Sequence, residues 1–275
     1  MIKISYDELA NTESHVCNRC LHITLETSHF PDNTLMLKTK NIDFSRPIDI
    51  EWYYENDAEL FTIICLAKKA TGTKNLFMPY IPHARMDRVK EPSDTFSLKY
   101  FAEVINSLWF DNVIVLDPHS TVSEALFDNL RILDVTQFIK WTLDSIEGGT
   151  TLFFPDAGAA KRYSGLVNLP YTYGNKNRDW RTGEILGLDI CGNLDLIKGK
   201  TVLIVDDICS RGGTFYHSAK KLKELGADKI YLYITHCENT ILEGEVLTSG
   251  LIDKVFTTNS IFNKEHEKIE VFSLD

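Results

Sequence analysis

Residues 201–215 read TVLIVDDICSRGGTF. An apolar strand runs into two adjacent carboxylates, Asp206 and Asp207, and a short loop then ends in Gly212-Gly213-Thr214 at the start of a helix. Two carboxylates at the carboxyl end of a strand offer acceptors for the vicinal hydroxyls of a ribose. The glycines let backbone N–H groups approach a phosphate closely, and the helix N-terminus adds partial positive charge. Asp and Gly also serve acidic turns and helix starts through local geometry alone. The complete order of strand, Asp-Asp, loop, Gly-Gly-Thr and helix is more specific than either residue type, and it points to a sugar-phosphate grip.

Other groups suited to chemistry sit at further strand ends. Asp117 and His119, in VIVLDPHS, are two residues apart and share a side if strand geometry persists. A carboxylate with a nearby imidazole can hold Mg²⁺ directly or through its waters. Asp156 follows a second strand end, and Lys161 and Arg162 after it read as solvated helix residues. Arg85 reads equally as a surface charge. The polar segment NKNRDWRTGEI, 175–185, reads as a flexible surface loop. Cys17 and Cys20, flanked by His15 and His22, form a single CxxC with no second pair. A structural zinc needs four ligands, so reduced thiols beside a strand are the expectation.

These residues need a scaffold. Apolar runs at 21–25, 75–80, 113–116, 151–154, 202–205 and 229–234 predict strands. Between them, Phe101, Val104, Ile105, Leu108 and Trp109 give a helical stripe within 96–109. Phe215, Ala219, Leu222 and Leu225 give another, which Gly226 ends. Continuous apolar strands alternating with helices predict an α/β fold with mainly parallel sheets flanked by helices, and ligands outside the strands' carboxyl ends. The Ser145–Gly149 stretch predicts two domains, 1–145 and 146–275.

Composition narrows the partners. A net charge of -10 argues against a nucleic-acid binder, which needs a basic face, although local Lys and Arg can still hold phosphorylated small molecules. No stretch approaches the ~20 apolar residues of a membrane span, and no secretory signal is visible. Six scattered cysteines suit a reducing, cytoplasmic setting.

The 201–215 segment resembles the ribose-phosphate loop of type I phosphoribosyltransferase folds. Three further segments narrow this to ribose-phosphate diphosphokinases (PRPP synthetases). MPYIPHARMDR, 78–88, is similar to that family's PY-x-ARQDR; VIVLDPHS, 113–120, to its MDLH segment; and FPDAGAAKR, 154–162, to its PDAGGAKR. The resemblance covers roughly residues 30 to 272, with four motifs in order. It implies transfer of a diphosphate from Mg-ATP to the anomeric hydroxyl of a ribose 5-phosphate unit. Asp206 and Asp207 would hold the sugar, and Ser210, Arg211, Gly212, Gly213 and Thr214 its 5′-phosphate. Asp117, His119 and Asp156 would anchor magnesium, with His119 also at the ATP. Arg85 would touch the ATP phosphates, beside Met86 and Asp87. Lys176 and Arg178 match the K-x-R spacing of the family's catalytic loop. Family members build ATP sites across subunit contacts, so a homodimer or larger homo-oligomer is implied.

The departures bear on substrate. Where the family loop reads DD-x-x-DTCGT, Ser210 replaces an acid and Arg211 a small hydroxyl residue. More positive charge there suits a second phosphate, so ADP-ribose stands beside ribose 5-phosphate as acceptor. The adenine-contact stretch survives only as Phe30-Pro31-Asp32-Asn33-Thr34, and Met86 stands in place of Gln. The chain also ends near IEVFSL without the family's terminal helix. It looks like a short, divergent branch, similar to synthetases that accompany NAD-salvage enzymes in phages and bacteria. Two alternatives are a type I phosphoribosyltransferase and a non-catalytic member of the family.

Overall fold

The computed structural model describes residues 1–5, 23–40, 42–178 and 185–274. Cys17, Cys20, His15 and His22 lie outside the described residues. Two compact units divide the chain, Met1–Leu133 and Asp134–Asp275.

In the first unit the strands are β1 (Ile2–Ser5), β2 (Ile23–Thr24), β3 (Glu26–His29), β4 (Leu35–Lys38), β5 (Ile48–Trp52), β6 (Lys74–Phe77), β7 (Asn112–Leu116) and β8 (Leu130–Leu133). Six form one sheet in the order β2-β1-β5-β6-β7-β8, and β3 and β4 form a separate hairpin. β5 to β8 pair in parallel, which requires a crossover between each pair of strands. Helices α1 (Glu59–Lys69), α2 (Ser97–Asn106) and α3 (Thr121–Leu126) supply these crossovers. Leu98, Phe101, Ala102 and Ile105 are buried along α2, the spacing of one helix face. The helix stops earlier than the stripe predicts. Trp109 falls beyond its end, in the left-handed region (φ 57), and is 79% exposed.

The second unit holds β9 (Thr150–Phe154), β10 (Tyr171–Arg178), β11 (Ile185–Cys191), β12 (Thr201–Cys209), β13 (Lys229–Cys237), β14 (Lys254–Thr258) and β15 (Ile269–Phe272). Their order is β11-β10-β9-β12-β13-β14-β15, parallel except for β11 on β10. Its helices are α4 (Thr136–Asp144), α5 (Ala157–Tyr163), α6 (Gly213–Glu224) and the short α7 (Glu245–Thr248). Val202, Ile204, Ile230 and Leu232 are fully buried against Phe215, Ala219 and Leu222 of α6. Gly226 lies just past that helix at φ 88, so the expected stop is met.

Three expectations need correction. The unit boundary precedes the expected 145/146 junction, because Phe138 and Trp141 of α4 pack on Phe272 of β15, with ring centroids 6.0 and 5.8 Å apart. In the 175–185 segment the described residues are strand rather than loop: β10 runs through Arg178 and β11, its antiparallel partner, starts at Ile185. Residues 179–184 lie outside the described residues. Finally, β12 continues through Asp206 and Asp207 to Cys209, where the apolar run alone predicts its end at Val205.

Candidate functional site

The second sheet reverses direction between β9 and β12: the chain steps from β9 outward to β10, then returns to place β12 on the other flank of β9. Crevices at such switch points, outside the strands' carboxyl ends, are where open α/β sheets bind ligands. Asp156 closely follows β9, and Asp206 and Asp207 lie near the end of β12.

The carboxylate pair is not left to repel itself. Arg162, on α5, places Nη2 2.7 Å from Asp207 Oδ1 and 3.3 Å from Asp206 Oδ1. Its side chain is only 27% exposed, so the expectation of a solvated helix arginine is wrong. Burial and the neighbouring Asp207 charge push the Asp206 carboxyl well above the usual carboxylate range, against the pull of Arg162 and the Asp207 N–H. That N–H donates to Asp206 Oδ1 at 3.0 Å.

Three residues link strand to helix. Ser210 Oγ lies 3.1 Å from Thr240 Oγ1, and Arg211 Nη2 donates to Glu243 Oε2 at 2.9 Å in an exposed pair. Gly212 takes φ 78 and precedes α6. At Gly213 no neighbouring atom stands within 4 Å of where a Cβ would be. No side chain caps α6 and no acid sits in its first turn, so neither offsets the positive end of the helix dipole. Asp156 serves a structural purpose, because its Oδ1 accepts from Ala159 N at 3.0 Å and caps α5. β10 carries the backbone of Lys176 and Arg178, and their side chains lie outside the described structure.

In the first unit, the 78–88 and 117–120 segments meet. Leu116 N donates to Pro79 O at 3.0 Å. The buried Asp87 carboxylate takes two bonds from Arg88, Nε at 2.7 Å and Nη2 at 3.0 Å. Arg88 holds this carboxyl below its ordinary range against burial, helped by Ser120 and His119. Asp117 is buried and left-handed (φ 42), so strand geometry does not persist to His119 and the shared-side argument fails. Arg85 and Met86 are exposed. Phe30 and Asp32 lie at the turn between β3 and β4; Phe30 is 51% exposed, and Asp32 Oδ1 accepts from Thr34 N and Oγ1 at 3.0 and 2.7 Å. Sequence reasoning missed a further cluster. Asp57 Oδ1 accepts from Tyr54 OH at 2.9 Å and lies 3.2 Å from His83 Nε2, while burial, ahead of that bond, pushes the Tyr54 phenol up to about 12.

Among the described residues no three His, Cys, Asp or Glu side chains gather as a ready-made metal cage. Magnesium is commonly held by one or two carboxylates together with substrate phosphates, and Asp117 and Asp156 are hard oxygen donors suited to it. Among the described residues no helix is long and apolar enough to cross a membrane.

Comparison with known proteins places this architecture. Residues 187–273 match the family model of the phosphoribosyl synthetase-associated domain. The ribose-phosphate pyrophosphokinase of Thermococcus kodakarensis is 26% identical over 265 residues, spanning 93% of this chain and 90% of that protein. That of Pyrococcus furiosus is 29% identical over 247 residues, 86% of each chain. The phosphoribosylpyrophosphate synthetase of Mycobacterium smegmatis shares the fold, with a TM-score of 0.73 at 18% identity over 91% of this chain and 86% of that one. The fold is that of two phosphoribosyltransferase-type α/β units. Over nearly its whole length the chain is similar to ribose-phosphate pyrophosphokinases (PRPP synthetases), and it shares the fold of one of them.

Proposed function

We propose that the protein is an ATP-dependent diphosphotransferase that moves the β,γ-diphosphate of Mg-ATP to the anomeric hydroxyl of a ribose 5-phosphate unit and releases AMP. The observation that carries this reading is the carboxylate pair on β12 beside the open Gly213 backbone and the uncapped N-terminus of α6. The names of the curated relatives support the same reaction.

In this reading Asp206 and Asp207 accept hydrogen bonds from the ribose hydroxyls and fix the anomeric oxygen in place. Ser210 through Thr214 take the 5′-phosphate, with backbone N–H groups and the helix dipole facing its charge. Ribose O1 attacks the β-phosphorus and AMP departs. Lys176 and Arg178 stabilise the transferring group as negative charge spreads over its oxygens. Arg85 meets the ATP phosphates, with Phe30, Asp32, Met86 and Asp87 completing the nucleotide site. Asp117 and His119 in the first unit would anchor magnesium, and Asp156 in the second unit would serve as a second anchor. Bound there, magnesium supplies neutralisation of the phosphate charge.

Ribose 5-phosphate is the acceptor we place first. ADP-ribose is the second, because Arg211 keeps an exposed guanidinium at the 5′-phosphate loop, held by a surface pair to Glu243. The test is incubation with Mg-ATP and either acceptor, without any nucleobase, followed by mass spectrometry. AMP with a diphosphorylated product supports the reading, and the productive acceptor decides between the two. No AMP with either sinks it. Lys176→Ala should abolish turnover in a folded protein, and unchanged turnover removes Lys176 from the mechanism.

A further inference from the structure

We propose that Arg162 is the positioning residue of the acceptor site, fixing Asp206 and Asp207 as a single acceptor pair for the ribose hydroxyls. This rests on the reading of the β12 carboxylates as the ribose grip.

The geometry is specific. A single nitrogen, Nη2, bridges Oδ1 of Asp207 and Asp206 at 2.7 and 3.3 Å, and the two side chains are only 3% and 14% exposed. Sequence-adjacent carboxylates on a strand would ordinarily project to opposite faces, so a shared cation on one side constrains both. The arginine is itself anchored. Its guanidinium carbon lies 5.2 Å from the ring centroid of the buried Tyr163, and α5 is capped at its start by Asp156. A continuous mechanical path therefore runs from the end of β9 through α5 to β12, across the switch point.

The chemical need is equally direct. Two buried neighbouring carboxyls tend to share one proton. A shared proton occupies a lone pair and turns one acceptor into a donor, which mismatches two ribose hydroxyls that must each donate. A guanidinium between them works against that sharing, pulling the Asp206 carboxyl back toward the ionised acceptor form. Among the described residues, the charged and titratable groups acting on the pair are Arg162 from α5, the two aspartates themselves and the Cys209 thiol on β12, which feels the Asp206 charge. Among these Arg162 is the only permanent cation. It touches the carboxylates, so its part is to position them rather than to react.

The experiment compares wild type with Arg162→Met and Arg162→Lys. Thermal melts first establish that each variant is folded. In the AMP-release assay, Arg162→Met should raise KM for ribose 5-phosphate about ten- to a hundredfold, the scale of a lost charge-assisted hydrogen bond, with KM for ATP unchanged. The acidic limb of kcat/KM for the sugar should move to higher pH, since removing the cation favours the protonated carboxyl. Arg162→Lys should recover part of both effects. A general structural role would instead lower kcat and leave the sugar KM and the pH limb in place, overturning the inference. If Arg162→Met does not fold, Arg162→Lys carries the comparison: a weaker sugar KM with an unmoved ATP KM supports the inference, and wild-type values overturn it. If wild type releases no AMP, the proposed function fails, and the arginine is judged by carbon-13 titration of the Asp206 and Asp207 carboxyls in wild type and variant. An upward shift without Arg162 supports its role; superimposable titrations overturn it.

Discussion

Gly212 lies directly beneath Val246: a methyl built on its Cα would overlap Val246 Cγ2, and its φ of 78 already lies in the left-handed region. Both facts demand glycine at the point where the 210–212 loop turns into α6. Gly212→Ala should therefore destabilise by about 1–2 kcal/mol from backbone strain, with about 1–3 kcal/mol more from overpacking. Urea denaturation measures the loss. Val246→Ala in the same chain should restore the packing part and leave the strain part; an additive double mutant would contradict the assigned contact.

Asp156 separates structure from chemistry by a choice of substitution. Asp156→Ala removes the cap of α5 and should cost about 1 kcal/mol. Asp156→Asn keeps an oxygen for Ala159 N and should melt near wild type, yet it removes the negative charge proposed to hold magnesium. Turnover in the Asn variant should fall, with partial recovery at higher magnesium concentration. Full activity at ordinary magnesium would leave Asp156 as a cap alone.

Asp206 carries a pH signature whose sign follows from its surroundings. Its folded-state carboxyl sits well above the ordinary value, mainly through burial and the Asp207 charge. A raised folded value means that its stabilising contribution is fully present below the unfolded value of about 3.9 and is lost as pH rises through the folded value. Near neutral pH, where the unfolded carboxyl is ionised, burying this group therefore opposes folding. Asp206→Asn should raise the melting temperature at pH 7, by more than it does at pH 4, while abolishing sugar-dependent turnover. Equal melting shifts at both pH values would refute the linkage.

Cys209 and Cys237 are register partners on β12 and β13, and both are buried. The Cys237 thiol, with burial next, pushes the Cys209 thiol up, so the reactive thiolate is disfavoured. Among the described cysteines, alkylation followed by peptide mass mapping should label the part-exposed Cys65 and Cys191 before Cys209 and Cys237, which are modified only on unfolding. Early labelling of Cys209 in the folded protein would contradict its burial.

The sequence by itself determined whatever depends on neighbours along the chain. Apolar runs place β7, β9, β12 and β13 within a few residues of their observed bounds, except where polar residues extend a strand, as Asp206 and Asp207 do in β12. Gly226 stops α6 because only its own dihedral matters there. The order of Asp-Asp and Gly-Gly-Thr is legible for the same reason.

Only the tertiary structure decided what distant segments do to each other. Arg162 reads as a surface charge until strand order brings α5 against β12, joining residues 44 and 45 positions apart. Trp109 extends a periodic pattern on paper, but the helix has already ended and the ring faces solvent. Asp117 leaves its strand through a left-handed turn that no alternation pattern encodes. Spacing fixes which side chains share a face of one element; the pairing of elements fixes which charges share a crevice, and there the protonation of the carboxylate pair is set.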